Sequence, residues 1–215
     1  MAVEIKFGDH VKEALEICKA NLVPTLATPI VSALPIILIY GVAMGLTMAT
    51  ESGLIMLLAL PLIIVASLFQ GVVFINWMAA IKAAKHEGKA IEIGSLLDFS
   101  NIVSKMLTWL IMGILFNICI IPGVIVCFAP CIVADKPGTS PIDAIKAALS
   151  FGKGNIVPLL ILMIVLFLVY LVGAIACGIG ALFTGPLAIA TWYLAYDTHK
   201  ASVEAAAAEG GVQLS

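Results

Sequence analysis

Residues 20–50, 52–81, 106–134 and 154–196 are built almost wholly of Leu, Ile, Val, Ala, Met and Phe, and the charged residues fall between these runs. A bilayer hydrocarbon core about 30 Å thick takes roughly 20 apolar helical residues to cross. Each run is long enough. The pattern predicts an all-α fold, a polytopic transmembrane helix bundle. The first two runs read as helices near 24–48 and 54–80, joined by the polar turn Thr50-Glu51-Ser52-Gly53. The last run reads as two crossings, one from about 156 to 177 and one ending at Trp192-Tyr193. Between them lies a hinge at Gly178-Ile179-Gly180, and aromatics at the far end suit a membrane interface. Residues 106–134 fit either one kinked helix or a short hairpin turning at Pro122 and Gly123, since Pro stops a helix and Gly permits reversal.

The lysines favour the hairpin. All eleven lie in 1–19, 82–105, 135–153 and the tail from Asp197, and the chain has no arginine. Positively charged loops are retained in the cytoplasm, so four cytoplasmic segments require each apolar region to leave and return. The expectation is about six membrane segments, the central pair re-entrant, with both termini cytoplasmic. Residues 1–200 form one membrane domain and 201–215 a disordered cytoplasmic tail. No cleavable signal is predicted in the polar N-terminus.

Three polar stretches have helical spacing of apolar residues, as in helices lying on a membrane surface. In the first, Phe7, Val11, Ala14, Leu15, Cys18 and Leu22 share a face. The second starts with the capping-box spacing Ser95 to Asp98. The third opens with Ser140 as N-cap, Pro141 in the first turn and Asp143 beyond it. The first and third also match each other at an offset of 134 residues, with nine identities over eighteen positions. The chain therefore reads as an internal parallel repeat: repeat A about 7–81, a central surface helix and hairpin 91–134, and repeat B about 140–197. The repeat corners are Asn21 with Pro24 and Asn155 with Pro158. Asn there suits a left-handed helix end, and Pro starts the membrane helix.

With 62% hydrophobic and 11% charged residues, the chain lies outside the range of soluble domains. No basic cluster interleaved with aromatics points to nucleic acid. The five cysteines lie mostly in apolar runs, where they pack as small hydrophobes; Cys127 and Cys131 are spaced for a metal or redox pair but lack nearby co-ligands. No nucleophile, phosphate-loop or zinc-protease motif occurs, so neither an enzyme nor a cofactor is expected. No ionisable residue falls deep in a span, which weighs against ion-coupled transport. The candidate polar intramembrane positions are Gln70, Asn76, Asn117 and Thr184, whose ordinary role is hydrogen bonding between helices. Gly41 and Gly45 form a GxxxG packing pattern, and Pro122, Gly123, Gly185 and Pro186 are hinge positions.

Gly88-Lys89, the run 93–99, Pro122-Gly123, the helix 141–150, Gly185-Pro186 and Tyr196 together carry a resemblance. The chain resembles uncharacterised prokaryotic six-helix integral membrane proteins, similar to the membrane domain attached to some glycerophosphoryl diester phosphodiesterases. The resemblance implies a bacterial inner membrane protein without an assigned reaction. The expected function is non-enzymatic, through contacts with the lipid bilayer, a membrane-protein partner or a second copy. The alternative is a small transporter or channel for a neutral or hydrophobic solute.

Overall fold

The computed structural model describes residues 4–175 and 180–214. Helix α1 (Phe7–Ala20) turns into α2 (Leu22–Thr50), and α3 (Leu54–Glu87) returns beside it. The turn between them places Glu51 at φ 53°. After a 3₁₀ turn at Ile93–Leu97 come α4 (Ile102–Ile118), α5 (Ile120–Ile125) and α6 (Ala129–Asp135). The last three helices are α7 (Pro141–Gly154), α8 (Ile156–Ile175) and α9 (Ala181–Glu209). No strand occurs among the described residues. Helices α2, α3 and α8 are long and apolar enough to cross a membrane.

The chain doubles back between α4 and α6, because the Ser104 hydroxyl donates to the Thr139 carbonyl at 2.8 Å and ties the two ends together. The reversal falls at Cys119, in extended conformation (φ −160°, ψ 134°), and not at Pro122 and Gly123 as the sequence suggests. Pro122 sits in the first turn of α5, where its missing N–H costs nothing. Gly123 lies so close to the Phe116 ring that an added Cβ would collide with it. Proline marks this reversal one turn late because the first turn of a helix tolerates it as well as a bend does.

Both corners differ from expectation in the same way. Asn21 (φ −120°, ψ 48°) and Asn155 (φ −132°, ψ 30°) are not left-handed. Each instead donates its side-chain amide back to a carbonyl of the preceding turn, Asn21 to Ile17 at 3.0 Å and Asn155 to Phe151 at 2.9 Å. The amide satisfies a carbonyl that the helix end leaves open. Pro24 and Pro158 fall in the first turns of α2 and α8. The two corners, 134 residues apart, thus share one hydrogen-bond geometry.

The core gathers at the end of the molecule where the lysines lie. Trp77, Ile81, Phe128, Ile132, Tyr193, Leu194 and Tyr196 are fully or almost fully buried there. Residues along the far halves of α2 and α3, among them Ile37, Leu38, Leu57 and Leu58, are instead exposed. Two surface expectations change. Part of the apolar stripe of α1 is covered by protein, since Ala14 and Cys18 are buried and α1 packs on α9. The stretch 201–215, expected to be disordered, continues α9 to Glu209 and buries Val203, Ala207 and Val212. Its alanines alternate with too few large apolar residues to advertise a partner, yet α1 and α7 both pack on that helix. At the 3₁₀ turn, Ser95 and Asp98 do not cap a helix, which starts only at Ile102. Ser140 does cap α7, accepting from the Asp143 N–H at 3.1 Å.

Candidate functional site

Two prolines line a partly enclosed cleft. Pro29 in α2 and Pro186 in α9 each lack the N–H of a helical hydrogen bond. Between α2, α3, α8 and α9 a cleft of about 520 Å³ opens. Ser32 and Ala33 of α2 line one wall, Gln70 and Phe74 of α3 a second, and Tyr170 of α8 with Leu182, Gly185 and Ile189 of α9 the rest. Its surface is mostly hydrocarbon, and no ionisable carboxylate, amine or imidazole lines it.

The polar groups in the cleft are few and incompletely paired. The Ser32 hydroxyl donates to the Pro29 carbonyl at 3.1 Å, which leaves its lone pairs for another donor. Pro186 has no N–H, so the Leu182 carbonyl lacks its helical donor. The Gln70 side-chain amide makes no hydrogen bond among the described residues. Just behind the cleft, Trp77 donates its indole N–H to the Pro186 carbonyl at 3.0 Å and locks α3 to α9.

The other sequence candidates scatter. Asn76 is buried and donates to the Leu96 and Asp98 carbonyls at 2.8 and 2.9 Å, so it secures the loop after α3. Thr184 lies on the α8–α9 crossing, where its hydroxyl donates to the Tyr170 carbonyl at 3.4 Å. Asn117 is exposed near the end of α4 and donates to the Gly113 carbonyl. It does not share a polar path with Gln70. Gly41 and Gly45 also face outward, with nothing within 4 Å of an added Cβ. Close helix contact is supplied elsewhere, by Gly71 against Trp109, Gly152 against the Ile125 carbonyl and Gly173 against Thr184. Cys177 and Gly178 lie outside the described residues.

A second site was hidden from the sequence. The Asp135 carboxylate, 1% exposed, takes Lys82 at 2.9 Å and Lys200 at 2.6 Å. Lys82 also donates to the Asp135 carbonyl at 2.6 Å. Beside it, Asp197 accepts from Lys85 at 3.1 Å and faces His86 at 3.0 Å; Lys85 reaches Glu13 and Lys136 reaches Glu204. Asp197 thus meets His86, 111 residues away, and not His199 two residues along. No sequence spacing joins Lys82, Asp135 and Lys200; only the return of α6 and α9 to the same end does. Burial tends to lower the Lys200 pKa, but the hydrogen bond and charge of Asp135 outweigh it and raise it. The hollow among these groups measures about 440 Å³, yet its cations and anions are matched one against another. Such a cluster fastens helices and leaves little field for a charged ligand.

Away from both sites, the hydrogen bond from Ser100, then Lys105, holds the Asp98 carboxyl below the usual range. Burial pushes the Cys18 thiol up to about 12, so it is not a reactive thiolate. Cys127 and Cys131 are buried in the core. No group of three His, Cys, Asp or Glu suited to a metal occurs among the described residues. No protein-family model matches the chain, and no curated protein or solved structure matches it either.

Proposed function

We propose that the protein is a multi-pass integral membrane protein of the bacterial inner membrane that acts without catalysis, by holding a lipid in the cleft between α2, α3, α8 and α9. The observation that carries this reading is the cleft itself: about 520 Å³ of mainly apolar space set into helices that are apolar on the outside as well. Ligand sites commonly enclose 300–1,000 Å³ and are mostly apolar with a few polar groups. The exposed Leu, Ile and Val of α2, α3 and α8 support lipid as their solvent, since soluble monomers rarely show apolar patches on that scale.

In this reading the chain makes six membrane segments, with the α4–α6 hairpin entering from the lysine side and both termini cytoplasmic. Gathering the lysine stretches at one end supports that arrangement, and the matched corners at Asn21 and Asn155 support descent from a duplicated unit. The resemblance to the membrane domain attached to some glycerophosphoryl diester phosphodiesterases belongs with the same reading and adds no reaction to it.

The test is native mass spectrometry of protein purified in mild detergent. A lipid retained by the native chain, and lost in both Gly185→Phe and Ala33→Phe, is the expected result. Absence of any bound lipid, or equal retention in both variants, overturns it. A second reading, a carrier for a neutral solute, draws on the unpaired Gln70 amide. Flux into proteoliposomes that disappears in Gln70→Leu would establish it instead.

A further inference from the structure

We infer that the cleft selects a neutral, single-chain lipid whose head carries a hydroxyl group, and that Gln70 reads that head; this rests on the reading of the cleft as a lipid site. Three observations lead there.

Depth comes first. Asn76 of α3 is bonded to the loop after that helix, and the ion-paired Asp98 of that loop is taken as the level of the membrane interface. Gln70 lies about 9 Å further along α3, at 1.5 Å per residue. Lys82, the nearest lysine on the same helix, is about 18 Å away by the same measure. A phosphate head would have to leave the interface to reach Gln70 and would meet no cation among the lining residues. A charge brought to that depth without a partner is strongly disfavoured. An uncharged head is not.

Size is the second constraint. Space of about 520 Å³ suits a molecule of one chain and a small head, and is too narrow for a two-chain phospholipid with its headgroup.

Hydrogen-bond inventory supplies the third. Ser32 offers lone pairs, the Leu182 carbonyl lacks its helical donor, the Gln70 amide brings an acceptor and two donor hydrogens, and the Tyr170 phenol brings one of each, so four acceptor groups face three donor hydrogens. Acceptors therefore outnumber donors in the cleft. Within hydrocarbon an unsatisfied polar group costs several kcal/mol. A ligand that only accepts, such as an ester or ketone, leaves the Leu182 and Ser32 oxygens unmet. A hydroxyl both donates and accepts, and so completes the set.

The experiment uses the full chain in nanodiscs of uncharged and anionic phospholipid with a diazirine-bearing monoacylglycerol as probe. Labelling is expected on the peptides carrying Tyr170 and 181–189. Unlabelled monoacylglycerol should compete about tenfold better than the methyl ester or the lysophosphatidate of the same chain, the scale of one intramembrane hydrogen bond. In Gln70→Leu that preference should vanish while labelling persists. Three competitors of equal strength, or a preference that survives in Gln70→Leu, would overturn the inference and leave the lipid site standing. Labelling of the cleft peptides that is unaffected in both Gly185→Phe and Ala33→Phe would instead remove the lipid site itself. Gly185 has room for a side chain, with Tyr170 no nearer than 3.9 Å to its added Cβ, and the wild-type competition requires no variant.

Discussion

Removing the Asp135 carboxylate leaves the Lys82 and Lys200 ammonium groups without their shared counter-charge. Breaking a buried pair by deleting one partner costs 3–5 kcal/mol, and both lysines are about one-third exposed, so Asp135→Ala should lose about 3 kcal/mol. Thermal melting in mild detergent reads this as a lowered midpoint. A midpoint equal to wild type would mean that water already screens the lysines. The histidines give a pH dependence of definite sign. Burial depresses the pKa of His10 below 6.5 and outweighs Glu13 and Asp9, which raise it; Lys85 adds to the depression. His199 is depressed by burial and by His10. As pH falls below 6.5 the unfolded chain binds protons that these rings refuse, so stability declines through that window and is fully present above it. Melting at pH 7.5 and 5.5 should show a drop that shrinks in His10→Leu, a variant that also removes the unpartnered Nε2.

Among the elements, glycines divide by what they touch. Gly71 and Gly152 hold helices where a Cβ would collide with the Trp109 ring or the Ile125 carbonyl. Gly152→Val should therefore cost at least about 1–3 kcal/mol. Gly45→Leu, on the outward face of α2, should stay within about 0.5 kcal/mol for the monomer. If Gly45→Leu instead alters the oligomeric state on size-exclusion chromatography, the GxxxG face belongs to a contact between copies. Helix α9 gives the clearest element-level prediction. Deleting 201–215 removes Val203, Ala207 and Val212 from the core, and the melting midpoint should fall. A disordered tail would leave it unchanged.

For the whole molecule, sidedness is the consequence with the widest reach. The proposed six-segment arrangement predicts that single cysteines at Lys146 or Lys153, in a background freed of its native cysteines, react with an impermeant maleimide only after the membrane is opened. Reaction in intact spheroplasts would put α7 outside and dissolve the six-segment arrangement. The fold also implies that the lysine end unfolds last. Its ion-paired, densely buried core contrasts with the far halves of α2 and α3, where Ile37, Leu38, Leu57 and Leu58 are exposed. Hydrogen exchange should protect α9 near Tyr193 more than α2 near Gly45.

Hydropathy alone determined that this chain is helical and built of long apolar segments, because the cost of unpaired backbone in hydrocarbon writes the span length into every run of Leu, Ile and Val. Residue types and the internal match, not hydropathy, located the Asn21 and Asn155 corners and the Ser140 cap, whose causes are local hydrogen bonds within a few residues. Hydropathy did not locate the reversal at Cys119, since no side-chain chemistry distinguishes that break from the helix around it. Nor did it show the fate of α1 and of 201–209, because an amphipathic stripe says only that something apolar covers it, and α9 proved to be the cover. The ties of Asp135 to Lys82 and Lys200, and the separation of Gln70 from Asn117, were decided by tertiary structure. Charges and amides distant in sequence become neighbours only when packed helices return to one level, and that return is set by close glycine contacts and fitted side chains, which leave no periodic trace in the sequence.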